Sequence, residues 1–216
     1  MKQIATIVIV LLGLGNHGAS LASGSYVPEK ICPQPNYTLE CDVLVENAVA
    51  KDIPGVIERS GPVLQIHARN GKIVEKKNAS PEIREAESWK LWACDYLPES
   101  GFVRLCYRLW ESSKTEFINI RSGQVVAMAG WPIYSPSRGS VLMVDGYGGE
   151  IYSLEIWRFG TNGLQKEFRL ESPPGEGWEV PRWKEEGKIE TNPGSRASGQ
   201  RYTLIKEPTG WILRAQ

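Results

Sequence analysis

FINIRSGQVVAMAGWPIYSPSRGSVLMV, residues 117–144, is the stretch from which the rest of the chain can be read. Apolar and polar residues alternate in short runs, and every run is stopped by Gly, Pro or Ser. Alternation with a period of two, rich in β-branched and aromatic side chains, is the pattern of a half-buried strand. Gly123 closes the polar turn "RSG", where a tight hairpin requires the positive φ that glycine adopts without steric cost. Pro132 and Pro136 bound a short strand that cannot lengthen without losing ladder donors. The stretch predicts two hairpins separated by "AMAGWP".

The same grammar recurs along the chain. "LQIHARNGKIVE", "FINIRSGQVVA", "EIWRFGTNGLQKEF" and "TLIKEPTGWILRA" each read as strand, polar turn ending in Gly, strand. Their glycines are Gly71, Gly123, Gly163 and Gly210, at intervals of 52, 40 and 47 residues. A second mark runs in step. Trp131 opens "WPIYSPSRGSVLMV" and, 47 residues later, Trp178 opens "WEVPRWKEEGKIET", with Gly139 and Gly187 in the turns. "WKLWACDYLPESGFVRLCYRLW", from Trp89, has the same form. Three units therefore spell four strands each, and the preceding segment supplies a weaker fourth unit ending near Lys76. Only "NASPEIREAESWK" could hold a helical turn, started by Pro81. The fold class is all-β. Four-stranded units at this period predict a propeller-like fold, with three clear blades and a weaker N-terminal one. A β-sandwich is the alternative, although it needs no recurrence of Trp plus Gly.

Residues 115–159 resemble the blade repeat of bacterial propeller proteins in which a Ser-Pro-Asp-Gly turn joins the first two strands. Ser135 and Pro136 match that turn, Ser137 stands where Asp is usual, and the glycine is displaced to Gly139. The likeness is faint over 178–216 and absent from the first sixty residues. As a whole the chain resembles a group of small exported propeller-like bacterial proteins. That implies a fold and says little about activity, since propellers carry unrelated functions.

The N-terminus carries an address. "MKQIATIVIVLLGLGNHGASLAS" has one Lys, an apolar run from Ile4 to Leu14, and then small and polar residues, the layout of a secretory signal cut after Ala22. The run is about 11 residues, against the ~20 that would cross a bilayer, so residues 1–22 are expected to leave and 23–216 to form one domain. The expected location is periplasmic or secreted and soluble, with no membrane insertion after cleavage. The chain has 25 basic and 25 acidic residues. That balance lacks the basic excess of a nucleic-acid binder. Cys32, Cys41, Cys94 and Cys106 make an even count, which in an oxidising compartment reads as disulfides. The pairing Cys32–Cys41 and Cys94–Cys106 is favoured, because "CDYLPESGFVRLC" folds about Pro98–Gly101 and sets its ends opposite each other. Loops this short contribute about 2–3 kcal/mol each on a chain-entropy argument. A zinc site is disfavoured because no Cys-x-x-Cys pair occurs and only His67 remains after signal removal.

No reactive constellation stands out. His67 lies in a strand before a tight turn, and no serine occupies a Gly-x-Ser-x-Gly elbow. Asp145 and Glu150 flank the glycine-rich "DGYGGE"; two carboxylates are fewer than a calcium loop presents, and no metal or other cofactor is expected. Most of the eight tryptophans are assigned to packing. Turns such as "RNG", "RSG", "TNG" and "PTG" are short, whereas "DGYGGE", "TNPGSRASGQ", "AMAGWP" and "ESPPGEGW" read as longer connections at the opposite end. Loops on a rigid scaffold carry function, so this longer-loop face is the expected binding surface. Trp131, Tyr147, Glu150, Trp178 and Arg196 are its candidate residues. These features point to a non-enzymatic protein-binding module, suited to an inhibitor or immunity protein acting on an envelope enzyme or toxin. A carbohydrate-binding or glycoside-hydrolysing secreted protein is the alternative.

Overall fold

The computed structural model describes residues 39–79, 90–108, 114–147, 150–171, 180–191 and 201–216. The first 38 residues, the proposed signal among them, lie outside the described residues. Among the described residues one helix, α1 (Leu39–Asp52), precedes fifteen strands. Sheet 1 contains β1 (Ile57–Ser60), β2 (Val63–His67) and β3 (Ile73–Lys77). Sheet 2 contains β4 (Lys90–Leu97), β5 (Phe102–Arg108), β6 (Lys114–Asn119) and β7 (Val125–Ala129). Sheet 3 contains β8 (Trp131–Tyr134), β9 (Ser140–Tyr147), β10 (Glu150–Gly160) and β11 (Gly163–Glu171). Sheet 4 contains β12 (Arg182–Glu185), β13 (Lys188–Thr191), β14 (Tyr202–Glu207) and β15 (Gly210–Ala215). Every sheet is an antiparallel meander in chain order. The three four-stranded units read from the repeat are sheets 2, 3 and 4, and the weaker unit is the three-stranded sheet 1.

Strand alternation determines how the sheets meet. On β9, Leu142 and Val144 join one buried cluster, while Val141 and Met143 join another. On β5 and β6, Val103, Leu105 and Ile118 face sheet 1, while Phe102 and Phe117 face sheet 3. Three cores follow, each shared by consecutive sheets. Leu64, Ile66 and Val74 of sheet 1 pack on Leu91, Val103 and Ile118 of sheet 2. Phe102, Phe117 and Met128 of sheet 2 pack on Val141, Met143 and Phe159 of sheet 3. Leu142, Leu154 and Ile156 of sheet 3 pack on Ile189, Leu204 and Trp211 of sheet 4. Among the described residues no buried cluster joins sheet 4 to sheet 1.

Helix α1 corrects the sequence reading, which allowed a helical turn only in "NASPEIREAESWK". That segment lies almost entirely outside the described residues. The buried face of α1 carries Cys41, Asp42, Val45, Glu46 and Val49, spaced for one side of a helix, while Val43 and Leu44 are exposed. Two buried acids and two exposed aliphatics erase the apolar periodicity that would have revealed it.

The acids have a structural use. Strand β4 lies at the edge of sheet 2, and an unpaired edge exposes backbone donors and acceptors. Here side chains take the place of a neighbouring strand. The Ala93 N–H donates to Glu46 Oε2 (3.1 Å), the Leu91 N–H donates to Asn78 Oδ1 (3.0 Å), and the Leu91 carbonyl accepts from Arg59 Nη2 (2.8 Å). Arg59 also pairs with Glu46, its Nη2 lying 2.7 Å from Oε2. Lys90 meets Asp42 at 3.2 Å.

The turns follow the glycine pattern. Gly71, Gly123, Gly163 and Gly210 all take positive φ, as predicted. Two segments read as longer connections are mainly strand. "AMAGWP" places Ala127–Ala129 in β7 and Trp131–Pro132 in β8, joined by Gly130 alone, and "DGYGGE" places Asp145–Tyr147 in β9 and Glu150 at the start of β10. Gly130 has φ 86°, and a Cβ there would fall 2.0 Å from the Val144 carbonyl oxygen. Gly71 has φ 85° with open space around it. Gly71→Ala should cost only the conformational strain, about 1–2 kcal/mol. Gly130→Ala must also displace β9 backbone, so urea unfolding should show a loss of more than ~3 kcal/mol or no folded protein. Equal losses at the two sites would contradict the observed crossing from β7 to β8.

Candidate functional site

The β4–β5 hairpin contains the expected Cys94–Cys106 disulfide, with Cα atoms 5.8 Å apart. Cys41 is also disulfide-bonded; Cys32, its expected partner, lies outside the described residues. Cys94 is the extra residue of a β-bulge, because Ala93 pairs with Leu105 while Asp95 pairs with Arg104. A bulge re-aims the side chains beyond it. Leu91 and Ala93 face sheet 1, whereas Leu97 faces sheet 3 and Asp95 reaches Arg138 of the β8–β9 turn.

That contact is the centre of a buried charged group. The Arg138 Nη2 donates to Asp95 Oδ2 at 2.5 Å. The guanidiniums of Arg138 and Arg104 lie 4.7 and 5.8 Å from the Tyr134 ring centre. Arg104 Nε also points at Cys94 Sγ, 3.0 Å away. Burial raises the Asp95 carboxyl above its ordinary value of 3.8 despite Arg104 and Arg138, and burial likewise raises the Tyr134 hydroxyl. Arg138 has φ 58°, the one non-glycine with positive φ among the described residues; the sequence reading gave the special place in this turn to Gly139. A non-glycine in that region is strained by about 1 kcal/mol or more. The strain is offset by the ion pair with Asp95. Chemically the group holds sheets 2 and 3 together.

The same turn reaches sheet 4 as well. The Ser137 N–H donates to Glu186 Oε2 (3.1 Å) in the β12–β13 turn. Elsewhere at this end, the Arg69 N–H donates to the Ile120 carbonyl (2.8 Å) and Asn70 Nδ2 to the Ser122 carbonyl (3.0 Å), tying the β2–β3 turn to the β6–β7 turn. Gln124 lies against Gly163 of the β10–β11 turn. Turns from all four sheets are thus linked to one another by specific contacts. This end, and not the longer-loop end, is where the described residues form a continuous surface. Sequence reasoning missed it because the linking residues stand 39 to 52 positions apart.

Three of the five predicted residues lie at the other end. Trp131 starts β8, Tyr147 ends β9 and Glu150 starts β10, so three of them share one end of sheet 3. The Trp131 side chain is half-buried against the core between sheets 3 and 4. Trp178 and Arg196 lie outside the described residues. Asp145 sits within β9, and among the described residues no cluster of three or more His, Cys, Asp or Glu could hold a metal. His67 Nε2 is 3.4 Å from Glu58. Trp92, Trp157, Trp183 and Trp211 pack in or against the cores, and the last three donate their indole N–H to Glu155, the Ile133 carbonyl and Glu167.

Further carboxylates bind the sheets together. Glu116 is buried on β6 between Lys76 of sheet 1 (2.6 Å) and Lys114 (3.0 Å). Burial opposes its ionisation, but Lys76, Tyr107 and Lys114 outweigh that and hold its carboxyl below the usual 4.5. On β11, Glu167 takes Lys206 (2.7 Å) and Trp211 (3.1 Å) from sheet 4; burial again opposes ionisation and is again outweighed.

No protein-family model matches the chain, and no curated protein matches it. Solved structures do. Hsv2p of Kluyveromyces lactis matches at 9% identity and a TM-score of 0.32, over 75% of this chain and 60% of that one. KlHsv2 with loop 6CD replaced by a Gly-Ser linker matches at 12% identity and a TM-score of 0.32, over 75% of this chain and 57% of that one. The chain thus aligns with less than two thirds of either neighbour, and a likeness at this level assigns no function.

Two outcomes follow. Arg138→Ala removes the partner of buried Asp95 and keeps the backbone strain, so it should cost about 3–5 kcal/mol in urea unfolding. Arg138→Gly removes both and should be less damaging by about 1 kcal/mol; the reverse order would contradict the strained geometry. The pH dependence is set by carboxylates of opposite sense. Glu116 and Glu167 titrate below 4.5 in the folded chain, so their contribution is complete above 4.5 and is lost as pH falls further. Asp95 is raised, so it binds its proton more readily when folded and stability falls as pH rises through its range. Unfolding measured at successive pH values should show a net loss on acidification below about pH 5, and Glu116→Gln should flatten that slope.

Proposed function

We propose that this chain is an exported, non-enzymatic protein-binding module on a propeller-like scaffold of four blades. Residues 1–22 act as its cleaved signal, and the mature protein works in the periplasm or outside the cell. The observation that carries the reading is the linkage of hairpin turns from all four sheets into one rigid end, through Arg138–Asp95, Ser137–Glu186, Asn70–Ser122 and Gln124–Gly163. Rigid loops lose little conformational freedom on docking, which favours recognition of a preformed partner surface. The Cys94–Cys106 disulfide suits an oxidising compartment, and no helix among the described residues is long and apolar enough to cross a membrane. An inhibitor or immunity protein that covers an envelope-acting enzyme or toxin is the specific role this design fits.

Cross-linking of the tagged mature protein in intact source cells should recover one specific protein partner. A glycan array should give no signal, and Asp145→Asn and Glu150→Gln should leave partner recovery unchanged. Glycan binding that these substitutions abolish would replace the reading with a carbohydrate-directed one.

A further inference from the structure

We infer that the turn end over sheets 1 and 2 is a docking surface for an acidic patch on a partner protein, formed by Arg69, Lys72 and Arg121. This deepens the binding-module reading and rests on it. All three side chains are exposed, and none has an ion pair among the described residues. Most other cations of the described residues are paired: Arg59 with Glu46, Lys76 and Lys114 with Glu116, Arg158 and Lys206 with Glu167, Arg169 and Lys166 with Glu155. In a chain of 25 cationic and 25 anionic residues, three unpaired cations on two touching turns are a local excess.

The surface is also built to hold its shape. The Asn119 Oδ1 accepts from the N–H groups of Arg121 (2.8 Å) and Ser122 (3.2 Å), which fixes the β6–β7 turn. Asn70 Oδ1 accepts the Lys72 N–H (3.0 Å), which fixes the β2–β3 turn, and Asn70 Nδ2 ties the two turns together. Glycines seat the long side chains. A Cβ at Gly123 would fall 2.8 Å from Lys72 Cδ, so the lysine stem lies across that glycine and carries its ammonium outward. A Cβ at Gly101 would fall 3.7 Å from Arg121 Nε, which places this guanidinium beside the β4–β5 turn. Exposed Glu99 belongs to that turn. A protein surface, acidic at its centre with cations at its margin, complements both signs.

The test uses the full mature chain and poly-L-glutamate as the probe. The wild type should bind it, more weakly as salt rises from about 50 to 300 mM, because exposed charges are screened over roughly 10 Å or less. Arg69→Glu/Lys72→Glu/Arg121→Glu should weaken binding at least tenfold. Lys77→Glu/Arg182→Glu/Arg201→Glu makes the same charge change at other unpaired exposed cations and should weaken it less than threefold. All six positions are exposed, and thermal melts confirm that both variants fold. No binding by the wild type, or equal losses in the two variants, overturns the proposal. Heparin binding at least tenfold tighter than poly-L-glutamate, lost in the same turn variant, overturns it in favour of a sulfate or phosphate polymer. If the turn variant recovers the same cross-linked partner as the wild type, the patch assignment falls and the binding-module reading stands. If the wild type recovers no partner while the poly-L-glutamate results hold, the module reading falls and the patch stands.

Discussion

A sheet with apolar side chains on both faces is not stable unless both faces are covered, and sheets 2 and 3 are of this kind. Phe102 and Val103, or Leu142 and Met143, are neighbours in sequence and belong to different cores. Neither sheet could stand alone, so the sheets must stack, and stacking in chain order is the solution that short connections allow. Burial of alternate residues at roughly 25 cal/mol per Å² of apolar surface is the dominant favourable contribution to such a stack. The disulfide, the ion pairs and the linked turns refine an arrangement that two-faced strands already impose.

The stack leaves a free edge at β4, and the protein covers it without adding a strand. Glu46, Arg59 and Asn78 supply a carboxylate, a guanidinium and an amide carbonyl at the spacing of ladder groups. Carboxylate and guanidinium each satisfy several backbone or side-chain groups at once, which a single neutral side chain cannot do. The helix that brings Glu46 therefore belongs to the sheet architecture. Its buried acids would be costly if unpaired, and Arg59 and Lys90 prevent that.

Polar residues at the interfaces between sheets have a related task. Hydrophobic contact is non-directional and would permit neighbouring sheets to slide or rotate. Asp95–Arg138, Glu116–Lys76 and Glu167–Lys206 are directional, and each joins consecutive sheets. They fix the relative placement of the turns, on which any recognition at that end depends. The positive φ of Arg138 and the bulge at Cys94 are the backbone adjustments that bring one of these pairs into register.

Much of this was legible in the sequence, because it rests on local physics. Period-two alternation identified the strands, and the need for positive φ at Gly71, Gly123, Gly163 and Gly210 identified the hairpins. The even cysteine count and a short hairpin identified Cys94–Cys106. Helix α1 was not legible, since its buried face carries Asp42 and Glu46 while Val43 and Leu44 face outward. Nor was the one-residue crossing at Gly130, which resembles a loop until the approach of Val144 is known. The candidate surface lay further out of reach. Which turns touch is settled by how whole sheets pack, and Asn70 and Ser122 meet across 52 residues of chain. Local backbone preference wrote the strands and turns into the sequence; only packing of two-faced sheets decided which distant side chains would share a surface.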